Sequence, residues 1–552
     1  MDDTTEQPGT AEPNGEMGQE RIEDARTFWE LISRRGALSP ARPMLLDAGD
    51  EVVTFGAFAA RAEQVAAGLA SLGVGAGTVV SWQLPTQVET VVLSAALSRL
   101  GAVQNPIIHL YREREVGFAI RQTGAELFVV PGQFRGFDYP ALAARVVAGM
   151  ERPPRIVVAD AGWEGPPEVA GGIEVLRGVP EGDPATLPPP PAPAPSPARQ
   201  GPIRWIYYTS GSTADPKGVR HTDQTLIAGG RGLAIALDMS SRDIGSIAFP
   251  YAHIGGPDYL VTMLALGFPA VLLDAFDVDR AIELFARNHV TMVGGSTAFY
   301  IAFLSAQRAR PDRPVLPDLR LMSGGGAPKP PELHREVREE IGGRGVVHGY
   351  GMTEVPMISS GSPHDTDEQL ANTDGRPVVG AEVRIVRLDG TPAAVGEEGE
   401  VRVRGPMVFH GYTDPSLDTE AFDTEGFFRT GDLGHLREDG HLVLTGRLKD
   451  VIVRKGENVS AKEVEDVIYR HPDVEDVAVI GLPDRARGER VCAVVQLRAG
   501  AERLTLPDVV EFCRAAGLMI QKIPEQLEVR TEMPRASTGK IVKKALREEY
   551  GS

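Results

Sequence analysis

Apolar residues recur along this chain with the two periods of helix and strand. Phe58, Val65, Leu69 and Leu72 share one helical face, and Gly73 stands where a left-handed C-terminal cap belongs. The run 79–84 reads as a strand. Thr86 and Glu89 have the spacing of a capping box for a helix that runs to Leu100 and stops at Gly101. The alternation continues with a strand from Ala102, a helix over 113–122 and strands over 126–130 and 155–159. It resumes with strands over 270–273, 290–293 and 319–322 and helices over 278–288 and 297–306. Strands alternating with helices predict parallel-type sheets covered on both faces.

Elsewhere the pattern breaks. Residues 1–20 carry almost no apolar content, the composition of a disordered tail. Proline dominates 179–200, including Pro188 to Pro191, which predicts a semi-rigid linker or surface loop. Beyond Asn372 short strands between Gly, Pro and Asp turns replace the helical period, which favours a small antiparallel barrel over about 372–445. From Lys449 a compact α+β unit follows: a helix over 461–470 with a Ser460/Glu463 capping box, strands over 477–480 and 491–496, and a helix over 507–516. The expected fold class is α/β. A large N-terminal domain, 21–448, holds two parallel-type α/β sheets plus a small β-barrel, and a small mobile α+β domain, 449–552, completes the chain.

With 552 residues, size does not limit the core, and 42% hydrophobic with 24% charged residues is an ordinary globular composition. A net charge of -19 argues against general nucleic-acid binding, so an anionic ligand must be held locally. Cys492 and Cys513 lack metal or disulfide spacing and are expected as buried thiols. No apolar run is long enough to span a bilayer and the N-terminus lacks a signal-type apolar region, which makes the cytoplasm the expected location.

Candidate chemistry lies where polar and glycine residues interrupt apolar strands. After an apolar strand, Tyr207-Tyr208-Thr209-Ser210-Gly211-Ser212-Thr213-Ala214-Asp215-Pro216-Lys217-Gly218 supplies backbone amides, hydroxyls and one ammonium. Those groups hold phosphate, although the Walker order of glycine, lysine and Ser/Thr is absent. Ser323-Gly324-Gly325-Gly326-Ala327-Pro328 follows a strand, where open α/β sheets bind ligands. His348-Gly349-Tyr350-Gly351-Met352-Thr353-Glu354 joins an aromatic face, a hydroxyl and a carboxylate fit for Mg²⁺. Asp432, in a Thr-Gly-Asp turn, can accept hydrogen bonds from a diol. Arg447 and Lys449 stand where the barrel pattern ends, and Lys540 in a C-terminal loop. Singly, each stretch also fits an ordinary turn or a solvated charge.

Together, in this order and spacing over about residues 27–547, they resemble the adenylate-forming superfamily of acyl-CoA synthetases, luciferases and peptide-synthetase adenylation domains. The resemblance implies that Thr209, Ser210, Gly211, Ser212, Thr213 and Lys217 grip ATP phosphates, that Gly325, Gly326, Ala327 and Tyr350 hold adenine, and that Gly351 and Met352 belong to the ATP/AMP-binding set. It further implies that Thr353 contacts phosphate, Glu354 holds the metal, Asp432 and Arg447 hold ribose, and Lys540 bridges carboxylate and α-phosphate. Lys449 matches the hinge, and Lys455, Gly456 and Glu457 match the loop lining the thiol tunnel. ATP, Mg²⁺ and coenzyme A are the implied cofactors, and acyl-AMP formation followed by thiol attack is the implied reaction.

His253 and Ile254, with Gly255, Gly256, Gly295 and Gly324, match the acyl pocket, where Gly255, Gly256, Gly294 and Gly295 are expected to leave room for an alicyclic, aromatic or branched acid. No carboxylate stands in the segment after Phe249 until Asp258, which disfavours an α-amino acid. Stretches 80–85 and 108–115 look similar to bacterial ligases for cyclohexanecarboxylate and medium-chain acids. The absence of a large insertion between Glu354 and Gly375 favours free coenzyme A over a carrier protein, which stays the alternative acceptor. Assembly as a homodimer is left open, and a non-catalytic AMP sensor is the remaining alternative.

Overall fold

The computed structural model describes residues 21–49, 51–169, 172–193, 201–209, 216–326, 329–454, 457–485, 487–501, 503–535 and 540–551. The expected tail therefore lies outside the described residues, as do Ser210, Gly211, Ser212, Thr213, Ala327, Lys455 and Gly456.

The first sheet has Val103–Pro106, Val79–Trp82, Leu127–Val130, Arg155–Val158 and Ile173–Arg177 in parallel order, with Glu168–Val169 antiparallel at one edge. On the other side Trp205–Thr209 (β1) pairs with Val103–Pro106, and Lys217–His221 (β2) runs antiparallel beside β1. Leu127–Val130 is buried along its length, because helices cover both faces. Leu127 and Val129 join the cluster with Phe58, Val65 and Val91, whereas Phe128 and Val130 join that of Val116, Ile120 and Leu142. Helix Asp223–Ala236 (α1) follows β2, and Gly255–Leu266 (α2) packs against it.

A second layer joins two sheets. Gly245–Ile247, Ala270–Leu272, Pro43–Leu46 and Val52–Thr54 form one. Met292–Gly295, Leu321–Gly324, Val346–Met352 (β3), Val355–Ser360 (β4) and Arg376–Pro377 form the other. They meet where the amides of Thr291 and Met292 both donate to the Ile244 carbonyl, at 2.8 and 3.1 Å. The region expected as a barrel is a four-stranded antiparallel meander of Glu382–Val386, Gly399–Arg404, Phe428–Leu436 (β5) and Leu442–Arg447 (β6), around Val401, Val403, Phe409 and Leu442. The C-terminal domain has its own sheet and core, with helix Ala461–Ile468 (α3) over the long hairpin of Val474–Asp484 and Gly488–Leu497. Among the described residues no helix is long and apolar enough to cross a membrane.

Several local expectations are corrected. Thr86 caps no helix: its hydroxyl donates to the Phe249 carbonyl and accepts the Tyr251 amide, both at 2.9 Å, and Val88–Leu100 starts without a side-chain cap. A long-range tie has outcompeted the local box. Ser460 does accept the Glu463 amide, at 3.3 Å, but the Glu463 carboxylate pairs with Lys522. The described part of the proline-rich stretch packs against helices: Gly182 donates to Gln64 at 2.9 Å, Arg99 donates to the Pro188 carbonyl at 2.8 Å, and the Pro180 carbonyl occupies the place of a Cβ on Gly68. His348 to Met352 belong to β3 instead of following a strand, and Thr353 and Glu354 make the turn into β4. Gly431, at φ +70°, is a bulge inside β5, set between the pairs Glu400 with Leu433 and Arg402 with Arg429.

Candidate active site

Thr209 and Lys217 are cross-strand partners, so residues 210–215 join adjacent strands of one ladder. β2 is stitched in turn to the meander. Thr413 donates to Gly218 at 2.8 Å, His410 donates to Arg220 at 2.7 Å, and Val219 bridges Tyr412. This sets the Lys217 ammonium 5.1 Å from the centre of the Tyr412 ring. The Tyr412 hydroxyl donates to Glu354 Oε1 at 2.8 Å. Glu354 is buried, and burial raises its carboxyl while Tyr412 and Lys217 oppose that shift.

His221 fixes the neighbouring turn. It is fully buried, and desolvation lowers it to about 4, so the ring is neutral at neutral pH. Its Nε2 lies 2.8 Å from the Thr353 carbonyl, which can only accept, and its Nδ1 lies 2.9 Å from the Thr225 hydroxyl. The tautomer is therefore Nε2–H, with Nδ1 accepting from Thr225.

The bulge in β5 aims Asp432 inward. The Tyr350 hydroxyl donates to Asp432 Oδ2 at 2.7 Å, and Arg447 Nε lies 2.8 Å from Oδ1. Asp432 and Arg447 are also ladder partners, so backbone and side chains set this corner twice. Gly325 and Gly351 permit close packing, since a Cβ on either would strike the carbonyl of Gly349 or Pro356. Met352, half-buried, packs on the meander core.

Lys540 arrives here from the C-terminal domain. Its Cε lies 3.9 Å from where a Cβ on Gly326 would stand. Burial lowers its ammonium to about 8, Arg447 and Lys449 push the same way, and Asp432 and Glu354 oppose. Lys449 stands in the single 3₁₀ turn Leu448–Asp450 directly after β6. Glu457 begins the strand Glu457–Val459.

A cleft opens on the other side of Thr353, walled by Ile107, Tyr111, Tyr207, His253 and Ile254. Burial, then the charge of Lys540, lowers His253 to about 4, and its Nδ1 accepts the Gly255 amide at 3.2 Å. The glycines here do not make room, contrary to expectation. A Cβ on Gly256 would strike the Tyr251 carbonyl, one on Gly324 the Gly295 carbonyl, and one on Gly295 would stand 2.8 Å from the Phe299 ring. Gly256 and Gly324 serve close backbone approach, and Gly295 leaves space for the Phe299 ring. Gly255 is the exception, with His253 Nδ1 nearest at 3.5 Å.

Two site residues escaped the sequence reading. His221 carried a usable signal: it shares a face of β2 with the buried Val219 two residues before it, so it is a polar residue at a core-facing strand position. Tyr412 carried none, because its partner Glu354 lies 58 residues away.

The fold and this constellation define an adenylate-forming enzyme. Residues 32–413 match the family model of the AMP-binding enzyme, and residues 463–540 match that of the AMP-binding enzyme C-terminal domain. The chain is 33% identical to the salicyl-AMP ligase / salicyl-S-ArCP synthetase of Mycobacterium tuberculosis, over 95% of this chain and 91% of the relative. It is 29% identical to the medium-chain fatty-acid–CoA ligase of Escherichia coli, over 95% and 89%. The crystal structure of ATP-bound MatB from Rhodopseudomonas palustris superposes with a TM-score of 0.80 at 27% identity, covering 95% of this chain and 99% of that one. The chain belongs to the AMP-binding enzyme family. Within it, the chain falls in the acyl-CoA synthetase branch of AMP-forming acid–thiol ligases.

Proposed function

We propose that the protein joins a carboxylic acid to coenzyme A at the expense of ATP. The observation that carries this reading is convergence: Lys540 from one domain stands among Glu354, Asp432 and Arg447 from the other. A carboxylate is a poor electrophile and a weak nucleophile toward another anion. The site's task is to bring two anions together and hold the charge that develops.

In the first step a carboxylate oxygen attacks the α-phosphorus, the bond to the bridging oxygen breaks, and pyrophosphate leaves with the electron pair. Lys540 neutralises both reactants as the bond forms. Asp432, oriented by Tyr350 and Arg447, accepts hydrogen bonds from the ribose hydroxyls. Thr353, its backbone held by His221, reaches a phosphate oxygen, and Lys217 with the 209–213 stretch holds the outer phosphates. Gly325, Gly326, Ala327 and Tyr350 frame the base. No protein nucleophile is required.

Glu354 fits a magnesium site. Tyr412 takes one of its oxygens, which leaves the other for a cation, and no group of three His, Cys, Asp or Glu residues gathers among the described residues. Such a site matches Mg²⁺, which takes one or two carboxylates and completes its shell with water and phosphate. Bound there, the ion would shield phosphate charge.

In the second step a thiol attacks the acyl carbonyl, AMP leaves and the thiol proton passes to solvent. Rotation at Lys449 would withdraw Lys540 and bring the Lys455, Gly456 and Glu457 loop to the cleft beside His253, a gating motion in the usual sense. Free coenzyme A is the proposed acceptor. Relatives named as a CoA ligase and as a carrier-protein synthetase make a phosphopantetheinylated carrier the second reading. The deciding experiment is a panel of carboxylic acids assayed for pyrophosphate release and thioester with coenzyme A, with a carrier, and with neither. Thioester with coenzyme A is expected; acid-dependent pyrophosphate release without it would overturn the acceptor assignment.

A further inference from the structure

The C-terminal domain meets the N-terminal one through charged groups away from the reacting atoms. Ser460, the N-cap of α3, donates its hydroxyl to the Thr445 carbonyl of β6, close to the hinge at Lys449. Lys462 and Asp466 follow one turn apart on α3 and pair at 2.6 Å, and Arg470 stands in the turn at the far end of the helix. Arg470 Nε lies 3.1 Å from Glu332 Oε1, in the first turn of helix Pro331–Glu340 of the N-terminal domain. Asp374, also N-terminal, accepts the Leu444 amide of β6 at 2.8 Å. Burial alone would lower the Lys462 ammonium; Asp466, and then Asp374 of the other domain, outweigh it and hold it above its ordinary value. Each cation on this edge of the C-terminal domain thus has an N-terminal carboxylate to answer it.

A polar boundary of this kind sets orientation without gluing the two surfaces, so the domain can leave again. The helix of 8 residues is about 12 Å long, which puts the Arg470 pair at the end away from the hinge, where rotation displaces it furthest. We infer that Arg470, paired with Glu332, positions Lys540: the ion pair holds the C-terminal domain in the acid-activating pose, and its release accompanies the thiol step. Arg470 touches no reacting group and is a positioning residue acting through Lys540. The pair thereby sets the balance between the two half-reactions. This rests on the reading of Lys540 as the activating lysine and of Lys449 as the hinge.

The test follows both half-reactions of the full-length enzyme: acyl-AMP formation, read by pyrophosphate release, and thioester formation from supplied acyl-AMP. One partly exposed ion pair shifts an equilibrium only a few-fold. Arg470→Glu, which sets like charges against Glu332 and Asp466, is therefore expected to slow the first step about three- to tenfold. The second step should keep its rate or quicken. Adding Glu332→Lys should bring the first step back to within about twofold of wild type, a recovery that a general loss of folding does not give. An unchanged first step, equal slowing of both steps, or no recovery in the double variant overturns the inference.

A second measurement needs no turnover. Glu332→Cys with Arg470→Cys sets two thiols across the boundary, while Cys492 and Cys513 are buried. A short bis-maleimide should join them, and the joined enzyme should still form acyl-AMP while making about tenfold less thioester. No cross-link, with both thiols shown to accept a monofunctional maleimide, overturns the inference. Thioester at full rate from the joined enzyme would refute the hinge and the inference with it. No pyrophosphate from wild type with any acid would instead count against the ligase reading, and the cross-link yield would still decide the contact.

Discussion

At the Asp432 corner both carboxylate oxygens are taken, one by the Tyr350 hydroxyl at 2.7 Å and one by Arg447 at 2.8 Å. One turn into α2, the equally buried Asp258 has an Oδ1 without a hydrogen-bond partner among the described residues. The first arrangement is preorganised: its geometry exists before any ligand arrives, and the same ligand chemistry suits every turnover. The second lies against Gly229, and burial with no cation contributing raises the carboxyl to about 8. Burial with a cation and a hydroxyl and burial without them set these two aspartates apart.

The sharpest way to break the contrast is to remove the charge that joins the two ends. Lys540→Ala is expected to slow acyl-AMP formation by about a hundred- to a thousandfold. Conversion of supplied acyl-AMP to thioester should be largely retained, and equal loss of both steps would refute the assigned role. Asp432→Ala strands both Tyr350 and Arg447 and should raise the KM for ATP about ten- to a hundredfold, read by pyrophosphate release at saturating acid. The preorganised corner also predicts a pH profile. Burial and Arg447 hold Lys540 near 8, so the ammonium is lost as pH rises through that value. Acyl-AMP formation should hold below about pH 8 and fall about tenfold per unit above it, a break that Lys540→Arg moves upward. The smallest effect is expected from Tyr412→Phe, which removes one neutral donor to Glu354. About a two- to tenfold weaker dependence on Mg²⁺ concentration would be measured.

Where sequence and structure agree, the signal was local. The alternation around Leu127–Val130 could be read because parallel strands between two helical layers are apolar throughout, and Gly101 marks its helix end with φ +67°. Tyr350 stood out in a glycine-rich stretch ending in Thr353 and Glu354, Asp432 in its Thr-Gly-Asp run, and Arg447 where the barrel pattern ends. Partners were another matter. Nothing near Tyr350 announces that its hydroxyl meets a carboxylate 82 residues on. Thr86 and Glu89 satisfied a local rule that the Phe249 and Tyr251 backbone overrode. The three-residue strands Val52–Thr54 and Gly245–Ile247 went unread, because neither carries an apolar run long enough to mark a strand. The pocket glycines were misread because a missing side chain looks the same whether backbone or ligand fills its place.

The register of Thr209 against Lys217 has a consequence for how this enzyme can change. Both ends of the 210–215 connection are fixed by the β1–β2 ladder and by the stitches from β2 to residues 410–413. Lengthening such a connection adds little loop-closure entropy, about 0.6 kcal/mol per doubling. Added length there would therefore cost folding little. The ladder can stay constant while the length of the connection it carries varies.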